Sequence, residues 1–97
     1  MLEACSARRL VIHGQVQGIG YRYALCIEAA RTGVTGWVRN RRDSTVEALL
    51  VGEAEAVANL IAWSRLGPPG ARVSHIEIAA EEPASASYTD FHQLPTL

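Results

Sequence analysis

Cysteine is scarce, a basic surplus is missing, and no apolar run is long enough to cross a membrane. The two cysteines, Cys5 and Cys26, form no Cys-x-x-Cys pair with histidines nearby, which argues against a metal ribbon and points to a reduced, cytoplasmic protein. Cys26 reads as a small core hydrophobe on a helix. Nine Lys+Arg against ten Asp+Glu give a net charge of -1, so nothing is available to neutralise a long polyphosphate backbone. Nucleic acid is therefore disfavoured as a partner, whereas a local anion pocket is not. The apolar run from Leu10 to Ile12 ends at His13-Gly14, too soon for a signal peptide or a membrane span, so no membrane partner is expected. Low-complexity tracts and linkers are lacking as well. With 97 residues, 48% of them hydrophobic, the chain reads as one domain over residues 1–97.

What is present alternates between two periodicities. Residues 8–14 are β-branched in the middle and stop at glycine, as a strand does. Residues 15–20 are too rich in glycine to be regular. Residues 21–32 contain neither Gly nor Pro and place Leu25, Cys26 and Ala29 at helical spacing, with Gly33 as the C-cap. Residues 34–40 and 45–51 form two strands joined by the polar hairpin Arg41-Arg42-Asp43-Ser44. After Gly52, the acids Glu53 and Glu55 suit a helix N-terminus, Val57, Leu60, Ile61 and Ser64 mark its inner face, and Gly67-Pro68-Pro69-Gly70 stops it. Residues 73–80 give a fourth strand with Ile76 and Ile78 on one face. A Pro/Ser/Ala loop over 82–87 follows, then a short edge strand within 88–94 and a frayed end at Pro95-Thr96-Leu97.

The order strand, helix, strand, strand, helix, strand predicts an α+β, ferredoxin-like split βαβ sandwich: an antiparallel sheet of four to five strands with two helices on one face. In that topology the first two strands run parallel with one strand between them. They end at one sheet edge, about 10 Å apart. The glycine-rich loop and Asn40 then face each other across a small cleft.

Two features of that cleft point to an anion. Glycines feeding a helix N-terminus can expose a nest of peptide N–H groups suited to an oxyanion, although a tight strand-to-helix turn explains the spacing equally well. Arg22 shifts the balance. It lies in the first helical turn, where a cation opposes the macrodipole unless it serves an anion, and a guanidinium there can chelate two oxygens. Asn40 is read either as a holder of a neutral water among Arg39, Arg41 and Arg42 or as the residue that opens the hairpin turn. His13 has the strand parity opposite to Leu10 and Ile12 and so points to solvent. His75 and His92 stand without a carboxylate or cysteine at ligand spacing. No histidine is assigned a role and no metal site is expected.

The segment Gly14-Gln15-Val16-Gln17-Gly18-Ile19-Gly20-Tyr21-Arg22 resembles the first signature of the acylphosphatase family, and Gly36-Trp37-Val38-Arg39-Asn40 through Val46 and Gly52 resembles the second. The likeness continues through Trp63, Gly67-Pro68-Pro69 and Ala71-Arg72-Val73, covering roughly residues 8–80. It implies hydrolysis of small-molecule acyl phosphates to carboxylate and phosphate without cofactor, metal or covalent intermediate. It also implies a phosphate cradle formed by Gln15, Val16, Gln17, Gly18, Ile19 and Gly20, with Arg22 binding phosphate and Asn40 orienting water. Inorganic phosphate or sulfate would compete for the cradle, and a monomer is the simplest form. Where the family commonly has Val, Phe and Gly, this chain has Ile19, Tyr21 and Ser44, and a positive φ at Ser44 would cost about 1 kcal/mol. Strands without aromatics over 8–14 and 45–51 argue against an RNA-binding module of the same topology. The alternative is a non-catalytic, anion-binding or accessory acylphosphatase-like domain, expected to be fused to zinc-finger and further domains.

Overall fold

The computed structural model describes residues 5–82 and 88–97. Strand β1 (Cys5–Gln15) buries Leu10 and Ile12 on one face, and β3 (Val46–Glu53) pairs antiparallel with its first part, from Cys5↔Glu53 to Ile12↔Val46. That pairing explains why β1 starts at Cys5 rather than at Arg8. Helix α1 (Tyr21–Thr32) stops where Gly33 turns left-handed at φ 77° and returns its N–H to the Ala29 carbonyl. Strand β2 (Thr35–Asn40) hydrogen-bonds to β3, and α2 (Ala54–Leu66) follows β3 without an intervening loop. Gly67 caps α2 through the Trp63 carbonyl, and β4 (Arg72–Ala80) then lies along β1. Three residues, Phe91–Gln93, make β5.

The sheet order is β4-β1-β3-β2-β5. Because β1 and β2 are each antiparallel to β3, they are parallel to each other with β3 in the gap, which is the split βαβ arrangement of a ferredoxin-like sandwich. Helix α1 lies over β2 and β5, and α2 over β1, β3 and β4. Leu10, Ile12, Val38, Val46, Ala48 and Leu50 from the strands meet Tyr21, Leu25, Ala29, Val57 and Leu60 from the helices, each at most 2% exposed. Every large member of that core contributes roughly 1.5–3 kcal/mol of burial. Ser64 is buried on the inner face of α2, while Ile61 and Cys26 lie at the margin of the core.

Three expectations change. The sheet is mixed rather than antiparallel, since β5 pairs parallel with β2 through Gly36↔Phe91 and Val38↔Gln93. No hairpin joins β4 to β5, so their connection crosses between opposite edges and no tight turn dictates the pairing direction. The end of the chain is not frayed either. Leu94 and Leu97 donate their amides to the carbonyls of Val38 and Asn40, satisfying the outer edge of β2. Ile78 shares its face with Ile76, but at the outer strand it is 43% exposed. The loop expected over 82–87 falls outside the described residues from position 83 onward.

The helix-free face carries a smaller apolar cluster of Ala7, Leu49 and Val51 with Trp37 packed against it. Beside it Glu47 is buried and held by two cations, Arg39 Nε at 2.8 Å and Arg9 at 3.3 Å. The Arg39 guanidinium also lies 4.8 Å from the Trp37 ring centroid. Arg39 is therefore committed to the far face.

Candidate active site

The register fixes where the two strand ends meet. Ile12 and Asn40 both pair with Val46, so β1, β3 and β2 stand in one row at that level. Beyond the row β1 continues through Gly14 and Gln15 into the loop, and the β2–β3 hairpin begins at Arg41. Loop and hairpin share one sheet edge, as the split topology requires. A link that sequence reasoning did not identify joins them: the Gln17 amide Nε2 donates to the carbonyls of both Arg41 and Thr45, at 2.8 Å each. A long side chain with two N–H donors placed mid-loop spans that gap, and spacing alone does not show the two carbonyls it finds.

The loop residues divide by direction. Val16 inserts into the core and Ile19 packs against its margin, anchoring the loop at two points. Gly18 and Gly20 adopt φ of 77° and 80°, a left-handed backbone that glycine enters without strain, and open space lies where a Cβ would project. Among the described residues, the amides of Gln17, Gly18, Ile19 and Gly20 have no backbone acceptor. Val16, Gly18, Gly20 and Arg22 line a pocket of about 100 Å³ together with Tyr21, Tyr23 and Gln93. That is well below the roughly 300–1,000 Å³ of sites for drug-sized ligands, and it suits a phosphoryl-sized group. Gln15 and Gln17 open to the other side of the loop, toward Ser44 and Gly70.

Arg22 is partly buried in the first turn of α1, a turn without an acidic residue, and among the described residues it has no ion pair or hydrogen bond. One turn further on, burial pushes the Cys26 thiol pKa above its ordinary value, Arg22 opposes that rise and Asp90 adds to it. Cys26 thus stays a neutral thiol beside the cation. Asn40 ends β2 on the face of buried Val38, and Val38 pairs with Gln93, which lines the Arg22 pocket. Asn40 thus stands two residues beyond Val38 on the helix side of β2, and it is not among the residues that line the Arg22 pocket. Its Oδ1 is buried without a hydrogen-bond partner among the described residues. A buried amide oxygen left unpaired costs about 1–3 kcal/mol and calls for a water or ligand.

Supporting geometry is local. Tyr21 donates its hydroxyl to the Ser64 carbonyl at 2.6 Å, which ties the start of α1 to α2, and burial raises its pKa from 10.0 to about 12, with the Ser64 side chain opposing the rise. In the hairpin, Thr45 donates its hydroxyl and its amide to Asp43 Oδ1, and these bonds hold the Asp43 carboxyl below its ordinary range. Ser44 takes φ 75°, the positive value expected where the family commonly has glycine. Arg41 lies 3.8 Å from Asp43, and Arg42 is exposed. His13 lies on the helix-free face, as its parity indicates. There it meets His75 and Glu77, a grouping addressed below.

A ferredoxin-like sandwich with an open-amide loop, an unpaired guanidinium and an orphan amide at one sheet edge has the make-up of a compact anion site. The acylphosphatase family model matches residues 8–93. An acylphosphatase from Nitrobacter hamburgensis is 48% identical, covering 93% of this chain and 95% of the relative. Among solved structures, an acylphosphatase from Coxiella burnetii superposes with a TM-score of 0.88 at 29% identity, covering 93% of both chains. Full-length HypF in its phosphate- and nucleotide-bound form shares the fold at TM-score 0.87 and 24% identity, with 99% of this chain matching 13% of that one. The chain belongs to the acylphosphatase family, and acyl phosphate hydrolysis is its general activity. No helix among the described residues is long and apolar enough to cross a membrane.

Proposed function

We propose that the pocket holds the phosphoryl group of an acyl phosphate and that water delivered from Asn40 attacks phosphorus in line. Arg22 chelates two phosphoryl oxygens, and the unpaired loop amides from Gln17 to Gly20 take the remaining charge as it develops. Asn40 accepts a hydrogen bond from the attacking water at Oδ1, which fixes the water's position without competing for the anion. The leaving group is a carboxylate and already a weak base, so positioning and charge stabilisation supply most of the rate and no acid is needed. The substrate's own phosphate receives the proton from water.

The observation that carries this reading is the orphan Asn40 oxygen on the same face and at the same edge as an unpaired arginine. Nothing in the pocket reads the acyl portion, so a range of acyl phosphates is expected as substrate. Inorganic phosphate or sulfate is expected to compete. A monomer in the cytoplasm needs no further partner. Hydrolysis of benzoyl phosphate in the presence of a chelator, with phosphate as a competitive inhibitor, is the expected result. A chain that binds phosphate but does not turn over benzoyl phosphate would instead be an anion-binding or accessory domain.

A further inference from the structure

We propose that His13, His75 and Glu77 form a binding site for a divalent transition-metal ion on the helix-free face of the sheet, where the ion clamps β1 to β4. His13 and His75 are direct cross-strand partners, and Glu77 follows His75 by two residues, so strand parity puts all three side chains on one face. The two imidazoles are stacked, with ring centroids 4.1 Å apart and planes within 12°. One donor atom from each residue lies within 4.8 Å of the others. A tetrahedral ion with bonds of about 2.0–2.1 Å needs donors roughly 3.4 Å apart, so rotation of the exposed His75 and Glu77 side chains toward the half-buried His13 closes the site.

The donors convey the class of ion. Two imidazoles and one carboxylate suit Zn²⁺, Co²⁺, Ni²⁺ or Cu²⁺, whereas Mg²⁺ and Ca²⁺ require oxygen ligands. His13 Nε2 already faces a Glu77 carboxylate oxygen in a hydrogen bond, the position an ion would enter. Ser74 Oγ lies 3.4 Å from His75 Nδ1, which leaves Nε2 of that ring for coordination and gives the ligand an outer partner. His75 and Glu77 are exposed, so water can reach the ion and complete its shell. Two cations, Arg9 and Arg41, share a cleft with Glu77; Arg9 is engaged by Glu47 at 3.3 Å and Glu81 at 3.8 Å, and Arg41 lies 3.8 Å from Asp43.

Placement defines the role. The β1–β4 register shifts between His13 and Gly14, and the last pair, Gln15↔Arg72, sits at the root of the loop. An ion at His13 and His75 pins the two strands on the near side of that bulge. It lies on the face away from α1 and Arg22, so its contribution is to stability rather than to turnover.

Calorimetric titration of the full chain with Zn²⁺ in phosphate-free buffer tests this. Wild type and Arg22→Ala should bind one ion with equal affinity. His75→Ala should weaken binding by at least roughly 10-fold and Glu77→Gln should do so measurably, while Mg²⁺ should give no saturable signal. Zn²⁺ should also raise the thermal midpoint of wild type and not that of His75→Ala. His75 is exposed, so both variants should melt like wild type without metal; His75→Gln replaces His75→Ala if that variant does not fold. Equal Zn²⁺ affinity in wild type and His75→Ala, or wild-type binding no tighter than about 1 mM, would overturn the site.

Discussion

The two halves of the molecule use the same split βαβ unit, yet they join strand to helix differently, and the first half alone places a glycine loop and an arginine at that junction. In the second half β3 ends at Glu53 and α2 begins at Ala54, with Glu55 in the first turn to complement the helix dipole. In the first half residues 16–20 intervene between β1 and α1, the entry is a left-handed glycine, and the first turn carries Arg22 and no acid. The second half shows what the fold alone requires. The cation in the first turn, the positive φ of Ser44 and the orphan oxygen of Asn40 each cost stability that the fold does not demand, and these costs collect at one edge. Local rules broken together mark a functional site.

Arg22→Ala should separate the halves most strongly. Losing two charge-assisted bonds of about 1.5–3 kcal/mol each lowers kcat/KM by about 100- to 10,000-fold and weakens phosphate inhibition. The thermal midpoint should stay level or rise, because removing a cation from the positive end of α1 relieves about 0.3–1 kcal/mol. Leu60→Ala, in the half that does not form the anion pocket, should do the reverse: denaturant titration should show a loss of about 2–5 kcal/mol, with kcat per folded molecule kept. A midpoint loss in Arg22→Ala as large as that of Leu60→Ala would erase the contrast.

Tyr21→Phe probes the seam between the halves, and its removal of the hydroxyl bond to Ser64 should cost about 0.5–1.5 kcal/mol. The same variant has a pH signature. The folded-state pKa of Tyr21 is raised from 10.0 to about 12, so its contribution is fully present below pH 10 and is lost as pH rises toward 12. Alkaline unfolding in that window should therefore be shallower in Tyr21→Phe. The smallest effect belongs to Ser44→Gly. Relief of strain of about 1 kcal/mol is partly offset by the roughly 0.4–1 kcal/mol of backbone entropy that glycine adds to the unfolded chain, leaving a slight stabilisation in denaturant titration.

Much of this was legible because it is encoded locally. Gly33 and Gly67 mark helix ends, the alternation of Leu10 and Ile12 sets the inner face of β1, and element order alone brings the loop and Asn40 to one edge. The positive φ at Ser44 was legible only conditionally, through the glycine that the family commonly has at that position. What escaped depends on tertiary pairing. The parallel docking of β5, the Leu97 bond to Asn40 and the Gln17 tether to Arg41 and Thr45 join residues distant in sequence, and no periodicity records them. The grouping of His13 with His75 and Glu77 needed the β1–β4 register, although His75 and Glu77 at strand spacing were a usable signal. The Arg39 pair with Glu47 was hidden for the same reason: a buried carboxylate on the far face competes for an arginine that neighbours the site in sequence.

The division of labour between guanidinium and amide is tested most directly by measuring benzoyl phosphate turnover and phosphate inhibition side by side in Asn40→Ala. Loss of the water-holding oxygen should lower kcat by at least ~100-fold while the inhibition constant of phosphate stays nearly unchanged. Full turnover in that variant, or a loss of phosphate affinity equal to that of Arg22→Ala, would contradict the assignment of water to Asn40 and of the anion to Arg22.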